Sequence, residues 1–203
     1  MANSFLPRFF RSFIFVSASA VISANAQAVV LTFDDVPGGS IQNAVGDMPT
    51  YQGFNFSYTL DWIDLVGINY PFGAHSGEFA ILNNNGGVGT ITAADNSDFT
   101  FDGLWAKKWA TSPESGGADS LFGTISGYNN SILIWSVVTS LNGSYEFYGP
   151  QAGAIDELRL GLSGNFLVDD IHLNETPTVP EPGALALLGL GLAGLGYARR
   201  QSR

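Results

Sequence analysis

From Val29 onward the chain shows little helical periodicity. Short β-branched and aromatic runs alternate with clusters of Gly, Asn, Asp and Ser, the signature of an all-β domain. The runs predict strands near 29–34, 53–59, 78–82, 88–93, 98–106, 120–127, 131–139, 143–148, 155–162 and 166–173. Turn chemistry fills the gaps: Pro37-Gly38-Gly39, the Asn83–Gly87 cluster, Gly116-Gly117, Asn129-Asn130 and Asn142-Gly143. Asn and Gly tolerate positive φ at little cost, and Asn142-Gly143 between two runs predicts a hairpin.

Some runs alternate cleanly. Leu158, Leu160 and Leu162 share one face, with Glu157 and Arg159 opposite; Phe99 and Phe101 oppose Thr100 and Asp102. Ile132-Leu133-Ile134-Trp135 is apolar on both faces, the pattern expected of a central strand covered on both sides. About ten short strands without helices predict two packed sheets, a jelly-roll-like β-sandwich.

Two segments fall outside this pattern. Residues 1–28 carry Arg8 and Arg11, then an apolar stretch from Phe13 to Ile22, then small-x-small sites at Ala24-Asn25-Ala26 and Ala26-Gln27-Ala28. That order predicts a secretory signal peptide cleaved after Ala28. After a linker at 176–179, the tail has three parts: Pro180-Glu181-Pro182, an uninterrupted apolar run from Gly183 to Ala198, and a basic end of Arg199, Arg200 and Arg203. The apolar run is 16 residues, shorter than the roughly 20 of a spanning helix, and Gly recurs through it. It predicts a short apolar helix that enters the membrane transiently, with its charges on the cytoplasmic side.

This tail resembles the PEP-CTERM sorting signal. The resemblance implies export, an inner-membrane-anchored precursor, processing near Pro180-Glu181-Pro182 by an exosortase, and delivery to the cell surface or beyond. The residues between the two segments, 29–175, form one domain of ordinary size. Phe33-Asp34-Asp35, Tyr51-x-Gly53-Phe54-x-Phe56, Phe99-x-Phe101-x-Gly103-Leu104 and Phe166–Ile171 occur in an order similar to a β-sandwich ectodomain common among PEP-CTERM proteins. The order also looks like jelly-roll carbohydrate-binding modules, a likeness of fold that does not fix function.

Charge narrows the partners. Residues 29–175 hold three basic residues (Lys107, Lys108, Arg159) against 17 acidic ones, a balance of −14. Such a surface repels nucleic acid. It suits cations or neutral, hydrated polymers. There is no Cys, so thiol nucleophiles and disulfides are excluded.

Two constellations are candidates for binding. Asp34 and Asp35 close the first predicted strand, and Asp169 and Asp170 lie in the last. If those strands are neighbours, the four carboxylates could form an oxygen cage for Ca²⁺. The alternative is solvated acids that hydrogen-bond a turn. Among the aromatics, Trp62, Trp105 and Trp109 stand in loops or near predicted strand ends, where an exposed ring could stack on the C–H face of a sugar; the alternative is core packing. Support for catalysis is weak. His75 and His172 have no partners at metal-ligand spacing, and no Gly-x-Ser-x-Gly elbow occurs. The reading is therefore a non-enzymatic surface or matrix protein associated with exopolysaccharide. A carbohydrate-binding module with a defined glycan is the alternative, and a glycan-active enzyme follows behind it.

Overall fold

The computed structural model describes residues 27–39, 45–66, 72–83, 86–109 and 121–175. Residues 1–26 of the predicted signal peptide (1–28), the linker and the sorting tail lie outside the described residues, as does the predicted apolar helix.

Thirteen strands occur among the described residues. They are β1 (Val29–Leu31), β2 (Val45–Asp47), β3 (Phe54–Phe56), β4 (Leu60–Asp64), β5 (Phe79–Asn83), β6 (Gly89–Ala93), β7 (Phe99–Lys108), β8 (Leu121–Asn129), β9 (Ile132–Leu141), β10 (Glu146–Tyr148), β11 (Gln151–Ile155), β12 (Glu157–Gly161) and β13 (Phe166–Leu173). They form two antiparallel sheets, so the domain is an all-β sandwich. The larger sheet runs β10-β7-β13-β5-β4-β2, with β1 added to one end of β13 and β11 to one end of β7. The smaller sheet runs β3-β6-β12-β8-β9.

The inward faces make one continuous core. Leu158 and Leu160 of β12 and Ile125 of β8 meet Phe101 and Leu104 of β7 and Phe166 of β13, all at 0% exposure. Burying a side chain of this size stabilises the fold by about 1.5–3 kcal/mol. The alternation read at Leu158-Leu160-Leu162 and Phe99-Phe101 thus corresponds to the inward rows.

Three features differ from expectation. Strands β2, β4 and β11 were not anticipated. Strand β4 reads Leu-Asp-Trp-Ile-Asp, and its two acids look like solvated loop residues, yet all five positions are buried. The outer face of the larger sheet is covered here, with a second small cluster of Ile63, Leu65, Ala80, Leu82 and Leu167 beneath the cover. Strand β9 is not central: it is the edge of the smaller sheet. Its apolar residues Ile132 (66%), Leu133 (52%) and Ile134 (42%) are exposed, while Trp135 turns inward onto Phe101. Finally, Asn142-Gly143 does not join a hairpin, because β9 and β10 belong to different sheets. The Asn142 side chain instead accepts from the Ser144 amide, and its carbonyl accepts from the Lys108 amide, which holds the crossover. The hairpin is β8–β9. Its central residues Asn130 (φ 49°) and Ser131 (φ 66°) both adopt the left-handed conformation that a two-residue type I′ turn requires.

Candidate binding face on the larger sheet

Strand β7 sends Leu104 and Ala106 into the core and Trp105 and Lys107 to the outer face. In β13, Phe166 and Val168 point inward and Leu167 and Asp169 outward. Past Asp169 the register breaks. Asp169 pairs with Trp105 and His172 with Gly103, so β13 carries one extra residue, and Asp170 takes φ 43°. This bulge keeps Ile171 in the core and returns His172 to the outer face.

Residues 72–79 form a strap across this face, and acidic side chains pin it. Asp169 accepts the amides of His75 (2.9 Å) and Ser76 (3.0 Å) on one oxygen and that of Asp170 (2.7 Å) on the other. Asp170 accepts from His75 Nδ1 (2.6 Å) and from the Ser76 hydroxyl (2.7 Å). Asp34 accepts the amides of Glu78 and Phe79. At the other end, Lys107, fully buried, donates to the Phe72 carbonyl at 2.7 Å, with its ammonium 5.1 Å from the Tyr145 ring. Gly77 takes φ 55°, and a Cβ there would land on the Asp34 carboxylate, which would have to move.

Above the sheet the strap completes a row of rings. His75 stacks on Trp105 at 3.9 Å and 16°. Tyr145 meets His75 edge-on at 5.5 Å, Phe147 leans on Trp105 at 5.2 Å, and His172 meets Phe147 at 6.1 Å. Trp105 and His172 are partly exposed, and Phe147 is 46% exposed. His172 Nδ1 is held by Glu175 at 2.7 Å, so each imidazole has a carboxylate on Nδ1. Burial pushes the Asp169 carboxyl up to about 8; the neighbouring Asp170 charge adds to the rise, and its backbone amide donors oppose it.

The segments that carry the four acids are brought near one another by the pairing of β1 with β13 over Val29–Leu31 and Ile171–Leu173, and Asp34, Asp169 and Asp170 each bond to the strap. The four acids do not assemble the expected calcium cage. Their oxygens face N–H and O–H donors: Asp35 accepts from the Tyr51 hydroxyl, and the other three accept from the strap. Among the described residues no group of three or more His, Cys, Asp or Glu could hold a metal ion. Burial, and after it the same Asp35 contact, pushes the Tyr51 hydroxyl up to about 12.

The three tryptophans separate. Trp62 is not available to a sugar: it is 4% exposed, packs on Phe79 at 5.9 Å and lies against Gly46, where a Cβ would come within 2.7 Å of the ring. Trp109 sits against Phe72 at 5.0 Å, under the strap. Trp105 lies in the ring row. Nothing in the sequence spacing marked His75, Tyr145 or Phe147 as its neighbours, since they come from a loop and a short strand far apart in the chain.

His, Asp and Ser stand together here, but not as a hydrolytic relay. The Ser76 hydroxyl donates to Asp170, and His75 Nδ1 also faces Asp170, so the imidazole is not aimed at the serine. Two pockets, of about 390 and 510 Å³, lie elsewhere, against Phe54, Asp95 and Phe99 and against Asn96, Asn130 and Asp156.

None of the curated proteins compared with the chain matches it. Among solved structures, it is similar to the C-terminal family 22 carbohydrate-binding module of Clostridium thermocellum Xyn10B. The identity is 15% and the TM-score 0.41, over 77% of this chain and 99% of the module. Residues 178–201 match the family described as the PEP-CTERM protein-sorting motif, and the chain carries that sorting signal after its β-sandwich domain.

Proposed function

We propose that this is an exported surface or matrix protein without catalytic activity. Its sorting motif is processed by an exosortase, and its sandwich contacts extracellular polysaccharide through the His75–Trp105–Phe147–His172 ring row. The observation that carries the contact is the ring row itself: stacked, partly exposed aromatics on a rigid sheet, flanked by imidazole and carboxylate groups. Such rings pack on sugar C–H faces, and the polar groups beside them hydrogen-bond hydroxyls. The strong negative balance of the domain favours neutral polymers over anionic ones.

The test is retention of the mature protein on insoluble and immobilised polysaccharides, including the exopolysaccharide of the producing cells. Phe147→Ala and Trp105→Ala are expected to lose retention. Equal retention of wild type and both variants overturns the reading. For sorting, intact mass of surface-recovered protein is expected to lack both residues 1–28 and the apolar run after Pro182. A main species that keeps residues 183–203 overturns that part.

A further inference from the structure

The rings of the row are not equivalent. Trp105 has His75 stacked on it at 3.9 Å, so one of its faces is taken. Phe147 is exposed where Trp105 and His172 beside it are only partly so. Two glycines create that exposure. A Cβ at Gly103 of β7 would land on the Cζ and Cε2 carbons of the Phe147 ring, and Gly103 takes φ 145°, a conformation that side chains rarely adopt. Phe147 therefore leans from β10 across β7, into the space a side chain at 103 would fill. On the ring's other edge stands Gly149, where a Cβ would lie 3.6 Å from Cε1, in ordinary contact.

Both neighbours of Phe147 are turned out of its plane. Trp105 is tilted by 45° with its centroid at 5.2 Å, and His172 stands nearly upright, at 85° and 6.1 Å. The three rings make a corner rather than a flat strip. His172 also brings a polar atom to that corner. Its Nδ1 is held by Glu175 Oε1 at 2.7 Å, and a carboxylate there assigns the proton of the neutral imidazole to Nδ1. Nε2 then carries a lone pair, and it makes no hydrogen bond among the described residues.

We propose that this corner seats one pyranose unit of a single, solvated polysaccharide chain. The C–H face of the sugar lies on Phe147, its rim meets Trp105, and one hydroxyl donates to His172 Nε2. The proposal rests on the reading of the ring row as the polysaccharide contact, and it adds the form of the ligand. A crystalline polysaccharide presents its sugars in one plane and needs coplanar rings, whereas the upright His172 holds such a plane away from Phe147. A single chain turns one unit into the corner. The rings supply apolar contact, and the single acceptor fixes the orientation of the unit. Gly103 leaves the Phe147 ring its place, and Glu175 sets which imidazole nitrogen faces the sugar.

The test uses the mature protein, the immobilised exopolysaccharide of the producing cells, and soluble fragments of that polymer made by partial acid hydrolysis. The fragments are expected to displace the retained protein and to shift the His172 Nε2 resonance in solution NMR. His172→Phe keeps a ring at that wall but has no acceptor. It is expected to weaken the apparent affinity roughly two- to twelve-fold, the range of one hydrogen bond, with an unchanged melting temperature. Gly103→Ala, which moves Phe147, is expected to lose retention, and Gly149→Ala to keep it. If Gly103→Ala does not fold, His172→Phe and the Nε2 resonance decide. Loss of retention in Phe147→Ala together with wild-type affinity in His172→Phe overturns the seat and leaves the ring row as the contact. So does an Nε2 resonance that stays in place, or fragments that do not displace the protein. A wild type that is not retained at all overturns the ring-row reading itself, and the seat with it.

Discussion

Gly77→Ala tests whether the strap is held as the geometry indicates. Two costs arise. Alanine at φ 55° costs about 1–2 kcal/mol from its Cβ alone. The Cβ also displaces the Asp34 carboxylate, which accepts the Glu78 amide at 2.8 Å and the Phe79 amide at 3.2 Å. Hydrogen bonds to a charged group contribute about 1.5–3 kcal/mol, and the lower end applies because Asp34 is exposed. The sum is roughly 2.5–3.5 kcal/mol, or roughly 5–14 °C in melting temperature for a chain of this size. The double-mutant cycle separates this account from general loop strain. Asp34→Ala alone is expected to cost about 1.5 kcal/mol, and Asp34→Ala/Gly77→Ala no more than Gly77→Ala, since the carboxylate is lost only once. The assay is thermal and denaturant unfolding followed by far-ultraviolet circular dichroism. Additive losses would refute the coupling of Gly77 to Asp34.

Further outcomes follow from the same face. Trp62→Ala is expected to cost about 3–5 kcal/mol and leave polysaccharide retention of the folded fraction unchanged, whereas Phe147→Ala is expected to lose retention with little change in melting temperature; the reverse pattern would misplace the binding face. Because burial raises the Asp169 carboxyl from 3.8 to about 8, its contribution to stability is full below about pH 4 and is lost as the pH rises toward 8. Melting temperature is therefore expected to fall from pH 5 to 8, and Asp169→Asn to flatten that slope; a wild-type profile with no fall, or an equal slope in the variant, contradicts it. Calcium at about 10 mM, a concentration well above the affinity range of weak extracellular sites, is expected to leave melting temperature at its ionic-strength control, since the Asp34, Asp35, Asp169 and Asp170 oxygens face hydrogen donors. A rise of several degrees would restore the cage.

The sequence made the inward rows legible and the outward rows obscure, for one physical reason. Leu158-Leu160-Leu162 and Phe99-Phe101 alternate with polar residues because their strands have one dry face and one wet one. Strand β4 has two dry faces, and its acids Asp61 and Asp64 are buried along with its apolar residues, so period-two polarity fails there. Strand β9 fails in the opposite sense: its apolar residues imitate a doubly covered strand but stand at a sheet edge, and only the pairing order reveals it. At the candidate site, the sequence offered the pairing of the first and last strands only as a condition, suggested by the jelly-roll likeness, and the structure shows β1 paired with β13. The ring row was not legible, because His75 reaches Trp105 through a loop whose path depends on Gly77 and on the bulge at Asp170.

The acidity of the domain then takes on a structural meaning. Asp34, Asp64, Asp95, Asp102, Asp156 and Asp169 each accept at least one backbone amide, and most of these amides belong to turns or irregular segments. A chain made almost entirely of short strands has many connections, and each leaves amides that no ladder pairs. Asp is the short acceptor that reaches such amides, and with three basic residues in the domain there are few cations to compete for it. Much of the −14 is therefore the by-product of fastening loops. That is why a dense acidic sequence here yields a pinned strap beside an aromatic row rather than an ion cage.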